Sequence, residues 1–192
     1  ASDVYKRQVI EGSKAFAKDL MKKYGIPTAD YAVFTDKEQA LYYVEKQGAP
    51  IVVKCDGLAL GKGVVVAQTL DEAKEAVVNM MENKAFGEAG AKVVIEECMT
   101  GPEVTVLAFT DGKTIVPMPS SQDHKRAYDG DQGPNTGGMG AISPCPNYTP
   151  ELSKVCMDTI FLPTVKALNA EGRTFQGVIY FGMMLTLSLI HI

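Results

Sequence analysis

The stretch IVVKCDGLALGKGVVV, residues 51–66, decides the fold of this chain. Two apolar, β-branched runs flank a loop with three glycines, which predicts strands Ile51–Cys55 and Val64–Ala67 joined by a glycine-rich loop over residues 57–63. Lys54 lies inside the first apolar run, where an ammonium group is costly unless an anion or acid pairs with it. The stretch indicates a phosphate-binding loop, although a glycine-rich hairpin with a snorkelling lysine fits the same residues.

A second stretch, VVIEECMTGPE over residues 93–103, runs from an apolar strand into two acids and a turn. A strand that leaves its sheet exposes backbone donors and acceptors of the kind that adenine needs, and the Glu103 carboxylate suits ribose hydroxyls. Taken alone, the stretch is better explained as a strand that ends in solvated acids.

A third pattern lies in the polar segment 117–150, which shows no hydrophobic periodicity and is predicted to be one long loop. Residues 120–126, SSQDHKR, place three potential cations in consecutive positions, and GPNTGGMG follows at 133–140. Arg and Lys bind phosphate oxygens, and a Thr-Gly-Gly turn offers N–H donors. A phosphate-sugar site and a charged surface loop are both compatible with this pattern.

The remaining periodicity indicates an α+β chain with an antiparallel component. Helices are predicted over residues 13–24, 37–47 and 70–81, with capping boxes at 35–38 and 69–72, and after Thr149 and Pro150, with Pro163 kinking or dividing the last helix. Further strands are predicted at 31–34, 93–95, 104–109, 114–116 and 177–185, with a hairpin turn at Asp111-Gly112.

Composition excludes several classes of function. The net charge of −4 offers no basic field for nucleic acid, so no nucleic-acid partner is expected. Four cysteines without a Cys-x-x-Cys pair, with only two histidines, argue against a zinc site and for reduced thiols in a cytoplasmic protein. No secretory signal opens the chain, and the apolar run over 178–192 is shorter than the roughly 20 residues that a membrane-spanning helix needs.

Both ends are expected to lie outside the fold. Residues 1–8, ASDVYKRQ, and residues 187–192, LSLIHI, resemble translated sequencing adapter. We therefore treat both as non-native ends.

Four motifs together resemble the ATP-grasp ligases, and among these phosphoribosylamine–glycine ligase. They are EGSK at 11–14, KCDGLALGKG at 54–63, SQDHKR at 121–126 and GPNTGGMGA at 133–141. The resemblance implies an ATP-grasp fold over residues 9–186, with two α/β subdomains flanking a nucleotide cleft. Residues 32–101 would form the lid subdomain and 102–186 part of an incomplete core subdomain.

The same resemblance implies an activity. The family uses ATP to join glycine to 5-phosphoribosylamine through glycyl phosphate, with Mg²⁺ or Mn²⁺, in purine synthesis. Its partners would be these small molecules, without nucleic acid or membrane, and the complete protein would be a monomer. The family's metal ligands follow the strand predicted at 177–185, where this sequence departs from the pattern, so the chain alone is expected to be inactive. Another ATP-grasp carboxylate–amine ligase and a non-catalytic nucleotide-binding module are the alternatives.

Roles carried over from the family fall into three sets, with no metal ligand among them. Lys14 and Lys54 are expected to hold ATP phosphates from two different subdomains. The expected ATP-binding residues are Lys14, Lys54, Gly57, Gly61, Lys62, Gly63, Glu96, Glu97, Cys98, Met99 and Glu103, of which Glu96–Met99 would form the adenine hinge. Those expected to face phosphoribosylamine are Asp123, His124, Lys125, Arg126, Asn135, Thr136, Gly137, Gly138 and Gly140. Those expected to act in catalysis are Lys54, Lys62 and Arg126.

Overall fold

The structure is a computed structural model that describes residues 9–59, 63–83, 85–130, 132–186 and 189–191. For Arg126, Pro134, Asn135 and residues 189–191 it describes the backbone alone. The chain divides into two compact units, the first comprising Ala1–Leu20 with Ala29–Cys98 and the second Met21–Thr28 with Met99–Ile192. Within the described ranges, no helix is both long and apolar enough to span a bilayer.

The first unit is built on a four-stranded sheet in the order β1-β4-β2-β3, in which every neighbouring pair is antiparallel. Its strands are β1 (Tyr31–Phe34), β2 (Ile51–Cys55), β3 (Val64–Ala67) and β4 (Val93–Glu97). Its helices are α1 (Val9–Gly12), α2 (Lys14–Lys23, to Leu20 in this unit), α3 (Lys37–Gln47), α4 (Leu70–Met81) and a 3₁₀ turn at Gly87–Gly90.

Side-chain alternation divides the residues of this sheet between two faces. Val53 in β2 and Ile95 in β4 are fully buried in one core cluster with Val44 of α3 and Val77 of α4. That face is therefore covered by the two helices, as the predicted apolar strands require. The other face carries Lys54 of β2 and Glu96 of β4.

Of the two predicted capping boxes, the one at 69–72 is confirmed and the one at 35–38 is displaced by one residue; Thr149 also caps its helix as predicted, by accepting from the Leu152 N–H at 3.3 Å. Thr69 accepts a hydrogen bond from the Glu72 N–H at 3.2 Å, and the reciprocal half of the capping box is also present. Asp36, not Thr35, caps α3 by accepting from the Gln39 N–H at 2.8 Å. Both residues fit an N-cap by type, and a carboxylate also interacts favourably with the helix dipole.

The second unit is built on an antiparallel sheet in the order β10-β9-β5-β6. Its strands are β5 (Glu103–Thr110), β6 (Ile115–Pro117), β9 (Gly177–Thr186) and β10 (Leu189–His191). The predicted hairpin between β5 and β6 is confirmed. Helices α5 (Pro150–Cys156) and α6 (Leu162–Ala170) are joined by a π-helical turn at Met157–Phe161, with Pro163 in the first turn of α6. The backbone stays helical throughout, so the predicted kink or division is seen only as this local change of helix type.

The long loop predicted over residues 117–150 is wrong. Gln122–Tyr128 forms β7 and Gln132–Ile142 forms β8, and the two pair as an antiparallel hairpin with irregular register. The ladder is made by main-chain groups, which need no apolar side chains, and glycines tolerate the irregularities. A polar, glycine-rich strand therefore gives no period-two signal in the sequence.

Candidate functional site

Lys54 lies in an ion-paired cluster on the face of the first unit's sheet opposite the one that α3 and α4 cover. In the β2–β4 register, Val52 lies opposite Glu96, so Lys54, two residues further on, is on the same face as Glu96. The Lys54 Nζ is 2.7 Å from Glu96 Oε2, and the Lys18 Nζ is 3.3 Å from the same oxygen. One carboxylate oxygen thus lies between two ammonium groups.

The three side chains of this cluster differ in their access to solvent. The side chains of Lys18 and Glu96 are 6% and 5% exposed, whereas that of Lys54 is 26% exposed. Burial lowers the pKa of Lys18, opposed by the charge of Glu96. The Lys18 Nζ also donates to the Ala29 carbonyl at 3.2 Å and lies 5.5 Å from the centre of the Tyr31 ring. Lys54 is therefore the member of the cluster that an incoming ligand can reach.

Sequence reasoning missed Lys18. It lies four residues after Lys14 in a helix with several lysines, and nothing in that spacing distinguishes a buried lysine from a solvated one. The residues that follow the helix do not indicate that the Lys18 side chain contacts Glu96 of β4.

Hydrogen bonds connect the N-terminus of α2 to the residues that follow β2, at the base of the glycine-rich loop. The Asp56 carboxylate accepts hydrogen bonds from the Ser13 hydroxyl at 2.9 Å and from the Ala15 N–H at 2.7 Å. The Lys14 Nζ donates to the Gly57 carbonyl at 3.0 Å. These bonds satisfy free N–H groups of the helix and hold Lys14 beside the first residue of the loop.

Lys14 and Lys54 belong to the same compact unit. The expectation that they come from two different subdomains is therefore corrected. Their separation by forty positions gave no information on this point, because α2 returns in space to the strand that carries Lys54.

Two of the loop glycines are required by packing alone. A Cβ on Gly57 would lie 2.7 Å from the Cβ of Ala89. A Cβ on Gly63 would lie 2.1 Å from the Cys55 Sγ and 2.7 Å from the Cβ of Ala59. The other two predicted loop residues, Gly61 and Lys62, are outside the described residues.

The residues predicted to form an adenine hinge are divided between the two units. Glu96 is held in the ion-paired cluster, and the Glu97 carboxylate accepts from the Asp30 N–H at 3.1 Å. Cys98 is the half-buried last residue of the first unit, and Met99 opens the second. The side chains of both acids therefore have protein partners, and the Glu97 N–H also donates to the Asp30 carbonyl at 3.0 Å.

Met99 lines a cavity of about 200 Å³ that lies wholly within the second unit. The cavity brings together three residues that sequence analysis had assigned to two ligands: Met99, Glu103 and Lys125. Its other lining residues include Thr105 and Tyr180, whose hydroxyls are 3.3 Å apart. Neither was predicted, because each lies in an ordinary β-strand pattern.

Lys125 and Glu103 form the charged pair of this cavity, with Nζ 2.7 Å from Oε2. Burial acts to lower the pKa of Lys125, but the hydrogen bond and charge of Glu103 outweigh it and leave the pKa raised. The Glu103 carboxylate is therefore already paired with the Lys125 ammonium group. A ribose hydroxyl that bound to Glu103 would share the carboxylate with Lys125.

Both polar motifs of the predicted loop are brought together as the strands of the β7–β8 hairpin. His124 is paired with Gly140, and Arg126 with Asn135, so the residues between them on β8 form a bulge. His124 is exposed, and the structure does not describe the side chains of Arg126 and Asn135. The hairpin therefore places two motifs that are separated in sequence side by side.

Thr136 holds the bulge in shape. Its hydroxyl donates to the Lys125 carbonyl at 2.9 Å and accepts from the Gly138 N–H at 3.1 Å. Gly138 has φ +122°, and a Cβ there would lie 3.0 Å from the Asp123 Oδ1, so this position favours glycine. The exposed Gly137 continues the turn. The Thr136 hydroxyl therefore ties the bulge to the main chain of Lys125.

Among the residues that the structure describes, no group of three or more His, Cys, Asp or Glu side chains is placed to hold a metal ion. The four cysteines are free thiols.

Comparison with known proteins identifies the family. The family described as "Phosphoribosylglycinamide synthetase, ATP-grasp (A) domain" matches residues 12–191. Phosphoribosylamine–glycine ligase of Vibrio vulnificus is 56% identical over 176 residues, 92% of this chain and 41% of that protein. The protein of that name from Streptococcus pneumoniae is 54% identical over 177 residues, 92% of this chain and 42% of its own length.

A solved structure agrees with these relatives. The crystal structure of phosphoribosylamine–glycine ligase from Thermotoga maritima superimposes with a TM-score of 0.87 at 35% identity, over 98% of this chain and 47% of that one. This chain spans about two fifths of the length of the curated relatives it matches. It has an ATP-grasp fold of mixed helices and strands, and it belongs to the phosphoribosylglycinamide synthetase ATP-grasp (A) domain family.

Proposed function

We propose that the protein to which this chain belongs ligates glycine to 5-phosphoribosylamine, with ATP cleaved to ADP and phosphate. Glycine's carboxylate oxygen attacks the γ-phosphorus, and the bond to ADP breaks. The amine of phosphoribosylamine then attacks the carbonyl carbon of glycyl phosphate, loses a proton and displaces phosphate. The single observation that carries the proposal is the pair of ammonium groups, Lys54 and Lys18, that share the one carboxylate of Glu96.

The residues of the first unit fit a triphosphate by charge. Two ammonium groups and one carboxylate meet within 3.3 Å, so the cluster has an excess of one positive charge when all three are ionised. Lys54, the most exposed of the three, would hold phosphate oxygens, and Lys14 would do so from the base of the loop. Residues 57–63 would cover the triphosphate and exclude water.

The second unit supports the acceptor side of the reaction. Lys125 suits a sugar phosphate, as do Arg126 and Asn135, which are paired with each other in the hairpin register. No described side chain in either set is an evident nucleophile or base. The protein's contribution to catalysis would be to orient the reactants and to neutralise charge.

A divalent cation, Mg²⁺ or Mn²⁺, would neutralise the β- and γ-oxygens in a reaction of this type. The described residues do not fit such an ion, because they contain no suitable group of ligands. We propose that the chain of 192 residues is inactive in ligation by itself.

The experiment compares the complete protein with the chain. Each receives glycine, phosphoribosylamine and Mg-ATP, and release of ADP is measured together with formation of glycinamide ribonucleotide by mass spectrometry. Turnover by the complete protein alone would support the proposal. Turnover only with a different carboxylate or amine would replace it with another ATP-grasp ligase, and absence of ATP binding in calorimetry would exclude a nucleotide site.

A matched pair of variants tests the carrying observation. Lys54→Gln should weaken ATP binding by the complete protein at least tenfold, because it removes the reachable ammonium group. Lys46→Gln removes an exposed lysine of α3 and should leave ATP affinity unchanged. Equal affinities for the two variants would contradict the assignment of Lys54.

The proposal extends to the setting of the protein. A step in purine synthesis with small-molecule substrates would take place in the cytoplasm, with no nucleic acid or membrane as partner, and the complete protein would be a monomer. A sedimentation mass of twice the sequence mass would contradict the last point.

A further inference from the structure

Glu96 Oε2 is shared unequally between its two lysines. Lys54 is closer, at 2.7 Å, but its side chain is a quarter exposed; Lys18 is at 3.3 Å and almost fully buried. The Lys18 Nζ is also fixed by the Ala29 carbonyl and the Tyr31 ring, so it has little freedom to leave. One lysine is therefore a permanent neighbour of the carboxylate, and the other can move.

This inequality matters when an anion binds. If Lys54 were the only partner of Glu96, its movement to a phosphate would leave a buried carboxylate unpaired, which is strongly unfavourable. With Lys18 in place, Glu96 keeps a charged partner after Lys54 has turned away. The surplus ammonium group therefore lowers the free energy that phosphate binding would otherwise spend on breaking the Lys54–Glu96 pair.

We propose that Lys18 is a positioning residue for the nucleotide site: it holds Glu96 from the buried side and so leaves Lys54 available to a phosphate group. The inference rests on the proposed function, in which Lys54 binds ATP. It assigns to a buried lysine a role in ligand affinity that goes beyond the stability of the first unit.

The test measures binding of ATP, ADP and adenosine to the complete protein by calorimetry. Lys18→Met removes the charge and the donor, while Lys18→Gln keeps a donor for the Ala29 carbonyl and removes the charge. Both should weaken ATP binding at least tenfold and leave adenosine affinity within twofold of wild type, because only the phosphates engage Lys54. Lys22→Met is the control on the same helix, since Lys22 is exposed, and should match wild type.

A double variant separates positioning from a general structural effect. In the background of Lys54→Met, adding Lys18→Met should change ATP affinity by less than twofold, because the group through which Lys18 acts is gone. The inference would be overturned if the two substitutions reduced ATP affinity multiplicatively. It would also be overturned if the Lys18 variants bound ATP and adenosine equally weakly, or if both bound ATP as tightly as wild type.

A measurement on the wild type covers the case in which neither Lys18 variant folds. Carbon NMR of the lysine Cε groups should show that ATP shifts the Lys54 resonance and leaves the Lys18 resonance in place. Comparable shifts of both would overturn the inference. If wild-type protein binds no ATP, or if Lys54→Met binds it normally, the proposed function fails first and the inference with it.

Discussion

Replacing Gly63 with alanine tests why the loop after β2 needs glycine. The added methyl group would lie 2.1 Å from the Cys55 Sγ and 2.7 Å from the Cβ of Ala59, and real Cβ contacts are essentially never this close. Cys55 is fully buried in the core of the first unit, so its sulfur cannot turn out to solvent. The backbone at residue 63 must therefore shift, although its carbonyl accepts a hydrogen bond from the Cys55 N–H at 2.9 Å.

Overpacking of this kind costs about 1–3 kcal/mol, and we expect Gly63→Ala near the upper end because the closest atom is buried. Cys55→Ala removes that atom and should by itself cost about 1 kcal/mol for the lost burial and the small cavity. In the double variant the contact with sulfur is gone and the Cys55 Cβ is 3.6 Å away, so only the 2.7 Å contact with the Cβ of Ala59 remains. The double variant should therefore be more stable than the sum of the single effects by about 1–2 kcal/mol.

Urea unfolding of the three variants and the wild type, followed by circular dichroism and with no nucleotide present, gives these free energies. Additive effects, or a Gly63→Ala variant within about 0.5 kcal/mol of wild type, would refute the packing explanation. The glycine would then have to be explained by the approach of a ligand alone.

Two further predictions concern the second unit. Phe161→Ala should lower the free energy of unfolding by about 3–5 kcal/mol, because the ring is fully buried and its centre lies 4.4 Å from that of Phe181. Phe109→Ala is the control, since the Phe109 side chain is half exposed. A similarly small loss of stability in both variants would contradict the prediction. The pKa of Asp111 lies below its ordinary value because the N–H groups of Thr114 and Lys113 donate to its carboxylate. Since the folded pKa is the lower one, the stabilisation is present above the unfolded pKa and is lost as pH falls through the folded pKa; a carbon NMR titration with a midpoint at or above 3.8 would contradict it.

The first unit could be predicted well because its signals are local. Three of its four strands begin with β-branched runs, and Thr69 and Gly48 lie at helix ends where their chemistry is specific. The β5–β6 hairpin was found for the same reason, since Asp111-Gly112 is a turn signal between apolar runs.

The site could be predicted only in part because its decisive contacts are between residues far apart in sequence. The glycine-rich loop and both polar motifs were found from composition, but their pairing in one hairpin was not. Lys18 reaches Glu96 from another element, and the cavity of the second unit joins β5, β7 and β9. The periodicity of residues within a single segment cannot predict such contacts.

The sequence did not indicate which group pairs with Lys54 in its apolar strand. A lysine within an apolar strand requires an opposite charge, and Glu96 supplies it without any ligand. Burial of Lys54 is therefore not itself an indication of phosphate. The Lys54–Glu96 pair does not explain why Lys18 is also present. Glu96 already has a charged partner, so burying the Lys18 ammonium group there adds a desolvation cost and repulsion from Lys54. An anion that takes over Lys54 would leave each charge with one partner, and on this ground the cluster favours a nucleotide phosphate over a purely structural ion pair.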